Sequence, residues 1–273
     1  MTINCKGKLI DFSSPKVMGV LNITPDSFYD GGYYKNEKEL LSQTEKMLLE
    51  GATFIDIGAC SSKPGASHIS EEEELQRILP AVSAIIKEFP ETIISIDTFR
   101  STIAKETVAI GAALINDISG GTLDEKMFKT VAKLQVPYIL MHMKGTPQNM
   151  QKNPTYGNIT TELISFFAEQ IFKLHQLNLK DVVIDVGFGF GKTLEHNYQL
   201  LKDLSLFKNL DVPVLAGISR KSMLFKPLHI SAKEALNATT SANTIALLNG
   251  ANILRVHDVK QAIEAVKIVD LLN

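Results

Sequence analysis

Residues 17–22 read VMGVLN, a short apolar run that ends in a polar side chain. Seven more apolar runs follow along the chain, and each of them also ends in glycines or polar residues. The eight runs lie at residues 17–21, 53–57, 93–96, 113–115, 138–141, 182–184, 212–216 and 252–254. Continuous apolar runs without strict alternation are typical of parallel strands that are covered on both faces.

Amphipathic segments separate these runs. Residues 37–50, 71–89, 124–134, 159–177 and 232–249 place apolar side chains on one helical face and charged side chains on the other. The runs recur about every 34 residues, which is the length of one βα unit. Eight such units in 273 residues predict an α/β fold, the (β/α)₈ or TIM barrel. An open doubly wound sheet is disfavoured because no GxGxxG follows the first strand.

The segment before the first barrel strand has a different pattern. Residues 3–12 are expected to form a short N-terminal hairpin with its turn at residues 5–8. This hairpin is placed to plug the lower mouth of the barrel. Since no linker or low-complexity stretch interrupts the pattern, we expect a single domain over residues 1–273.

Composition excludes several classes of protein. With 45% hydrophobic and 21% charged residues, the chain has the composition of an ordinary globular protein. Its 28 Lys and Arg against 30 Asp and Glu give a net charge of −2, so we expect no nucleic-acid partner. Residues 1–14 lack the apolar region of a signal peptide and no 18 apolar residues run consecutively, so we expect neither a signal peptide nor a membrane span. Cys5 and Cys60 form no CxxC motif. These features predict a cytoplasmic protein without a membrane partner.

Hydrogen-bonding side chains follow every apolar run. In a (β/α)₈ barrel the carboxyl ends of the strands form the active site, so these residues are the candidates for binding and catalysis. They include Asn22, Asp56, Asp97, Asn116, His142, Asp185, Arg255 and His257, with a polar segment at residues 219–222. One Asp or Asn at a strand end is often only a cap or turn residue, but eight polar strand ends favour a site. Asp56, between two isoleucines, is equally well explained as a structural residue that binds loop backbone.

The candidates divide into two chemical groups. Asp97, Asn116 and Asp185 offer carboxylate and amide edges that suit a planar heterocycle with N–H donors, such as a pterin or guanine. Asn22, Arg255 and His257, with Lys63 on a loop, suit the oxygens of phosphate or pyrophosphate. The sequence therefore predicts a ligand with both a heterocycle and an anionic group.

Two other motifs fail on inspection. Residues 187–193 read GFGFGKT, but a P-loop requires glycine at position 186, where this chain has Val186. His142 lacks the spacing of a metal ligand, so we expect a hydrogen-bonded structural histidine.

Seven stretches together resemble one known family. Residues 17–28 read VMGVLNITPDSF and are similar to the first signature of the dihydropteroate synthases. Six further stretches resemble the remaining motifs of that family in order: 57–66, 95–98, 115–121, 185–192, 217–222 and 255–259. The resemblance implies a transferase of folate biosynthesis. It would condense 7,8-dihydropterin-CH₂-pyrophosphate with p-aminobenzoate, assisted by Mg²⁺, to give 7,8-dihydropteroate and pyrophosphate.

The resemblance also implies a role for individual residues. The pterin would be bound by Asp97, Asn116, Asp185 and Lys221. The pyrophosphate would be bound by Asn22, Ser62, Lys63, Arg255 and His257, and the metal by Asn22 and Asp30. The p-aminobenzoate site would be lined by Phe28, Ser62, Lys63, Pro64, Phe190 and Ser222. The residues expected to act in catalysis are Lys221, Asp97, Asp185, Arg255 and His257.

The chemistry of the substrate agrees with these roles. An allylic-like CH₂ on an electron-rich pterin can lose pyrophosphate first and leave a cation delocalised over the ring. Arg255 and His257 would then stabilise the leaving group, while Asp97 and Asp185 would stabilise the positive pterin. No protein nucleophile is required.

The chain departs from the family at two places. Ser62 and Lys63 stand where Thr and Arg are usual, and residues 59–60 read Ala-Cys. Lysine keeps the charge of arginine without its planar fork, so we expect Lys63 to assist the pyrophosphate only weakly.

Two other functions share part of this pattern. A pterin-binding barrel that serves a methyltransferase could use Asp97, Asn116 and Asp185, but it would not need a pyrophosphate site. A catalytically silent paralogue could keep the fold alone. The resemblance further implies a sulfonamide target and a homodimer, whose interface could use residues 232–249 and 259–272.

Overall fold

Eight parallel strands close into a barrel in the computed structural model, which describes residues 1–23, 33–60 and 69–272, with the backbone alone for residues 33–36. The barrel strands are β3 (Lys16–Asn22), β4 (Phe54–Gly58), β5 (Ile93–Asp97), β6 (Leu114–Asp117), β7 (Tyr138–Met141), β8 (Val182–Asp185), β9 (Val214–Ala216) and β10 (Ile253–Val256). They follow one another around the barrel, and β10 closes it against β3. The predicted α/β (β/α)₈ barrel is confirmed.

Helices cover the outside of this barrel. They are α1 (Tyr33–Leu49), α2 (Glu71–Glu88), α3 (Ser101–Ala109), α4 (Met127–Leu134), α5 (Ile159–Gln176), α6 (Leu194–Lys202), α7 (Ser222–Phe225), α8 (Leu236–Leu248) and α9 (Val259–Asp270), with a 3₁₀ helix at Leu204–Leu210. Side chains cap several of them: the Ser70 hydroxyl accepts from the N–H of Glu73, and Asn158 accepts from the N–H of Thr161. No helix among the described residues is long and apolar enough to cross a membrane.

Helix α8 begins later than its amphipathic pattern indicates. The pattern favours a start at residue 232, whereas α8 begins at Leu236. The guanidinium of Arg220 accounts for the difference, because its Nη1 donates to the carbonyls of Ala232 and Lys233 at 2.9 and 2.6 Å. The side chain of Glu234 also accepts from the N–H of Ser231. These bonds hold residues 231–235 in turns ahead of the helix.

An apolar layer closes the lower end of the barrel. Each strand contributes one buried residue to it: Met18, Phe54, Ile93, Leu114, Ile139, Val183, Leu215 and Ile253. The N-terminal hairpin, β1 (Thr2–Cys5) and β2 (Lys8–Asp11), packs onto this layer, as the sequence predicts. Its turn uses Lys6 and Gly7, both at positive φ, which suits a two-residue hairpin loop.

The loops that follow β7 and β8 are bound to each other near the upper mouth. Lys192, only 4% exposed, donates from Nζ to the carbonyls of Phe190 and His142 at 2.9 and 3.2 Å. The same nitrogen lies 3.2 Å from Nδ1 of His142. Gly187 belongs to this contact, since a Cβ there would lie 2.1 Å from the carbonyl oxygen of His142. His142 is thus hydrogen-bonded, as predicted.

The environment of His142 disfavours its protonation. Burial, together with the Lys192 ammonium, lowers the pKa of His142 to about 3. In the unfolded chain the imidazole has its ordinary pKa of about 6.5. Below pH 6.5 the unfolded chain therefore takes up a proton that the folded protein does not, and the contribution of His142 to stability falls as the pH falls.

We expect His142→Gln to reduce the acid sensitivity of the fold. Between pH 6.5 and about pH 4, the free energy of unfolding of the wild type should fall relative to that of the variant by up to about 1.4 kcal/mol per pH unit. Urea unfolding at several pH values measures this difference. His175→Gln, at an exposed position on α5, is the control. A difference between wild type and His142→Gln that does not change with pH would contradict the expectation.

Candidate active site

Four residues lie side by side at the carboxyl ends of β3 to β6. In the strand register Asn22 pairs with Gly58, Gly58 with Asp97, and Asp97 with Asn116. Gly58 leaves a gap between its neighbours, because a Cβ there would lie 3.5 Å from both Oδ1 of Asn22 and Cβ of Asp97. The barrel therefore brings one amide from β3, one carboxylate from β5 and one amide from β6 around its upper mouth.

Arg255 on β10 joins two carboxylates across the mouth. Its Nε donates to Oδ2 of Asp56 at 2.6 Å, and its Nη2 donates to Oδ2 of Asp97 at 2.8 Å. Asp56 also accepts from Oγ of Ser95 at 2.6 Å and from Nδ2 of Asn116 at 3.0 Å. Asp56 is completely buried, whereas the side chain of Asp97 is 11% exposed. Of these two carboxylates, only that of Asp97 has access to the mouth.

These contacts set the charges of the site. Burial raises the pKa of Asp97 to about 7; Arg255 opposes this shift, and the carboxylate of Asp56 adds to it. The pKa of Arg255 is raised, since the attraction of Asp56 and Asp97 outweighs the effect of its burial. The guanidinium is thus a permanent positive charge with one partner, Asp97, at the edge of the mouth.

Asp185 and Lys221 form a second charged group. A Cβ on Gly217 would lie 3.6 Å from Oδ2 of Asp185 and 3.7 Å from Nζ of Lys221, so both groups face the same glycine. Oδ1 of Asp185 accepts from the N–H of Gly187 at 2.8 Å, and Nζ of Lys221 donates to the carbonyl of Phe188 at 2.5 Å. Burial lowers the pKa of Lys221 to about 8, against the attraction of Asp185, and burial raises the pKa of Asp185.

An apolar surface lies beside this group. Phe190 follows β8, and its ring centroid is 4.8 Å from Nζ of Lys221. A cluster of buried apolar side chains packs against Phe190 and Phe99: Ile118, Met141, Met143 and Met150. This surface suits an aromatic ring next to the polar groups of the mouth.

His257 lies at the rim, directly after β10. Its Nδ1 is 3.0 Å from Oγ of Ser219, and its backbone N–H donates to the same oxygen at 3.2 Å. The surrounding protein and the positive charge of Arg255 lower the pKa of His257, so the imidazole is neutral near pH 7. A Ser219 hydroxyl that donates to Nδ1 leaves Nε2–H as a free donor. His257 can therefore donate a hydrogen bond to an anion.

The structure brings most of the sequence-derived candidates to one end of the barrel. Those at the strand ends or directly after them are Asn22, Asp97, Asn116, Asp185, Lys221, Arg255 and His257. Phe190 and Ser222 lie on the loops that follow β8 and β9, and Ser222 is the first residue of α7. The remaining candidates lie outside the described residues: Phe28, Asp30, Ser62, Lys63 and Pro64.

The sequence left Asp56 open between a binding role and a structural role, and it gave Lys192 no place in the site. The signal for Asp56 was an acidic residue in the middle of an apolar run, which a cap or turn does not explain. Lys192 gave only a weaker signal, as the last residue of a glycine-rich stretch that fails as a P-loop. Both are buried among groups that border the mouth.

The described residues offer only part of a metal site. Among residues 1–23, 33–60 and 69–272, no group of three or more His, Cys, Asp or Glu side chains could hold a metal ion. Oδ1 of Asn22 is the described oxygen that fits the predicted metal set, since it borders the gap over Gly58. One neutral oxygen suits a hard cation that takes its other ligands from water and substrate phosphates.

Comparisons with known proteins identify the family of the chain. The family of pterin binding enzymes matches residues 18–257. The chain is 41% identical over 273 residues to dihydropteroate synthase of Escherichia coli K12, covering 99% of this chain and 96% of that protein. It is 40% identical over 270 residues to dihydropteroate synthase of Haemophilus influenzae, with 98% of each chain covered.

Solved structures give the same result. The chain superposes with a TM-score of 0.93 and 41% identity on Yersinia pestis dihydropteroate synthase in a sulfonamide drug complex, with 100% of this chain and 99% of that chain covered. Dihydropteroate synthase from Xanthomonas albilineans in complex with 7,8-dihydropteroate gives a TM-score of 0.88 at 32% identity, covering 100% and 98%. The chain belongs to the dihydropteroate synthases, a family of pterin binding enzymes.

Proposed function

We propose that the upper mouth of the barrel condenses 7,8-dihydropterin-6-ylmethyl diphosphate with p-aminobenzoate. As a dihydropteroate synthase the chain is a transferase of folate biosynthesis. The observation that carries the assignment of the site is the Asp97–Arg255 pair, which places an acceptor for the heterocycle next to a donor for the diphosphate. Structures of relatives contain 7,8-dihydropteroate and 4-aminobenzoic acid, which supports these two substrate classes.

Pterin recognition is assigned to the groups around Asp97. Oxygens of Asp97, Asn116 and Asp185 would accept hydrogen bonds from N–H groups of the ring, and the Lys221 ammonium would donate to a ring acceptor. Lys221 lies close enough to Asp185 for its charge to be partly compensated. This arrangement matches a planar ligand that carries both donors and acceptors on its edge.

The reaction requires a positive and a negative charge to separate in the site. The C–O bond between the methylene carbon and the diphosphate breaks, and both electrons leave with the pyrophosphate. Arg255 and the Nε2–H of His257, together with Asn22, Ser62 and Lys63, would bind the departing anion. Asp97 and Asp185 would stabilise the cation that spreads over the pterin ring. Asp97, Asp185, Lys221, Arg255 and His257 are therefore the proposed catalytic residues.

The second substrate completes the reaction. The amino nitrogen of p-aminobenzoate attacks the methylene carbon with its lone pair and then loses a proton to solvent. Its ring would pack on Phe190, beside Lys221 and the methionine cluster. Ser222, with Phe28, Ser62, Lys63 and Pro64, would line the rest of this site, where a sulfonamide would compete with p-aminobenzoate.

A magnesium ion fits the proposed diphosphate site. Asn22 and Asp30 would hold Mg²⁺ through oxygen atoms, which are its preferred protein ligands. When bound, the ion would neutralise negative charge on the diphosphate. Arg255 and His257 remain the groups of this chain that bind and orient the diphosphate.

The two alternative functions are less well supported. A methyltransferase-type barrel would not explain why Arg255 and His257 both present donors at the mouth. A silent paralogue would not explain why Asp185 and Lys221 lie near each other beside Gly217, because burial of both charged groups costs stability. Both alternatives predict pterin binding without formation of dihydropteroate.

We also propose a single catalytic domain over residues 1–273 and a cytoplasmic location. Among the described residues, Cys5 and Cys60 are free thiols, which supports a reducing compartment. The hairpin packs on the apolar lower layer of the same barrel whose outer face the described helices cover, which supports the single domain.

We expect Lys221→Ala to fold normally and to lose pterin affinity and activity. Removal of a charged hydrogen-bond donor from the mouth should lower kcat/KM for the pterin substrate by about 30-fold or more. Formation of dihydropteroate from both substrates with Mg²⁺ measures this effect. Lys226→Ala, at an exposed position on the same segment, is the control. Turnover of Lys221→Ala close to that of the wild type would refute the assignment.

A homodimer through α8 and α9 is the proposed oligomeric state. Apolar side chains stand exposed on these helices, with Ile245 45%, Leu248 57% and Ile268 61% exposed. We expect light scattering after size-exclusion chromatography to give twice the chain mass of 30.0 kDa, and Leu248→Glu to give the monomer. Phe172→Glu, at an exposed apolar position on α5, is the matched control. A monomeric wild type would contradict the proposal.

A further inference from the structure

Asp56 on β4 accepts hydrogen bonds from side chains of three other strands without reaching the solvent. Its Oδ1 accepts from Ser95 on β5, and its Oδ2 accepts from both Asn116 on β6 and Arg255 on β10. The residue has an exposed fraction of 0%, so a ligand in the mouth meets its partners, Asn116 and Arg255, before it. Any effect of Asp56 on a ligand therefore acts through those two side chains.

The contact with Asn116 fixes the polarity of its amide. A carboxylate has no hydrogen to donate, so Asn116 must turn its Nδ2 toward Asp56, at 3.0 Å. The opposite corner of the amide, Oδ1, then faces away from Asp56. Oδ1 accepts no hydrogen bond from a described residue, although Asn116 is only 3% exposed. It is the atom that remains for a ligand N–H.

The contact with Arg255 keeps a second acceptor available. Nε of the guanidinium is held by Asp56, so only Nη2 binds Asp97, through Oδ2. Oδ1 of Asp97 is left without a partner among the described residues. Oδ2 of Asp185 is likewise free of hydrogen bonds from described residues, since Gly187 binds Oδ1. The mouth thus presents oxygens of Asp97, Asn116 and Asp185 as acceptors.

We propose that Asp56 is a positioning residue that sets pterin specificity, because it holds Asn116 with its acceptor toward the ligand. Three acceptors favour a ring edge that carries N–H donors, as the 2-amino group of a pterin does. They disfavour the 2-oxo analogue, a lumazine, which places a carbonyl where the pterin has its amino group. This inference rests on the proposed function, in which a pterin binds among these residues.

Two substitutions at the same position separate polarity from charge. In Asp56→Asn, Nδ2 can donate to the Ser95 hydroxyl while Oδ1 still accepts from Asn116 and Arg255, so the polarity of Asn116 is kept. In Asp56→Ala no acceptor remains, and Asn116 can turn either end toward the ligand. Ser95→Ala is the control, since it removes a donor to Asp56 but leaves Asn116 bound.

The test measures the affinities of 6-hydroxymethyl-7,8-dihydropterin and its 2-oxo analogue by calorimetry. We expect the wild type, Asp56→Asn and Ser95→Ala to prefer the pterin at least about tenfold, since a mismatched hydrogen bond costs about that factor. In Asp56→Ala the ratio of the two Kd values should fall at least about fivefold. If Asp56 had only a structural role, its replacement would weaken the binding of both ligands equally and leave the ratio of the two Kd values unchanged. The proposal would be overturned if folded Asp56→Ala kept the wild-type ratio of the two Kd values, or if Asp56→Asn lost the preference for the pterin.

A double-mutant cycle tests the same contact without relying on the folding of Asp56→Ala. Asn116→Asp would place a carboxylate 3 Å from the carboxylate of Asp56, so pterin affinity should fall steeply near pH 7. In the Asp56→Asn background this repulsion is absent, and the loss should be at least about tenfold smaller. Equal losses of pterin affinity in both backgrounds would show that Asp56 does not act on the ligand through Asn116.

Wild-type behaviour separates the inference from the proposed function. If the wild type forms dihydropteroate but Asp56→Ala keeps its pterin preference, only the role of Asp56 is refuted. If the wild type binds neither ligand and forms no dihydropteroate, the proposed function is refuted and the inference with it.

Discussion

The ion pairs of Arg255 with Asp56 and Asp97 are the interaction on which the upper half of the barrel depends. A buried charge is costly unless it is paired and hydrogen-bonded, and here one guanidinium serves two carboxylates from different strands. Loss of Arg255 would leave both carboxylates facing each other in a largely buried position. Because the three residues come from β4, β5 and β10, the pairs also join the closing strand β10 to two strands with which it shares no backbone pairing.

The two ends of the barrel have opposite chemistry. At the lower end every strand gives an apolar residue, and the hairpin covers that layer, so hydrophobic burial holds the strands together there. At the upper end the strands give carboxylates, amides and a guanidinium, which pack less well and need partners. The stability that the apolar lower layer provides therefore offsets the cost of polar side chains at the mouth. Charge separation in the substrate would use the same unsatisfied oxygens and donors.

The sequence was sufficient for the barrel and for most of the described site. The spacing and length of the βα units predicted the eight strands. Asp97, Asn116 and Asp185 became candidates because each follows an apolar run. The sequence did not decide between a binding role and a structural role for Asp56, because its partners, Ser95 and Arg255, are 39 and 199 residues away along the chain. The start of α8 was placed too early because the bonds from Arg220 to two carbonyls are also non-local. Local patterns identify elements, whereas pairings between distant residues decide their ends and the orientation of polar side chains.

We propose that this site stabilises separated charges, so that pyrophosphate leaves before the amine attacks. The most direct measurement is the rate of pyrophosphate release from 7,8-dihydropterin-6-ylmethyl diphosphate with Mg²⁺, with and without p-aminobenzoate. We expect substantial release without p-aminobenzoate, and formation of dihydropteroate when it is added. Release that begins only when p-aminobenzoate is present would contradict departure before attack.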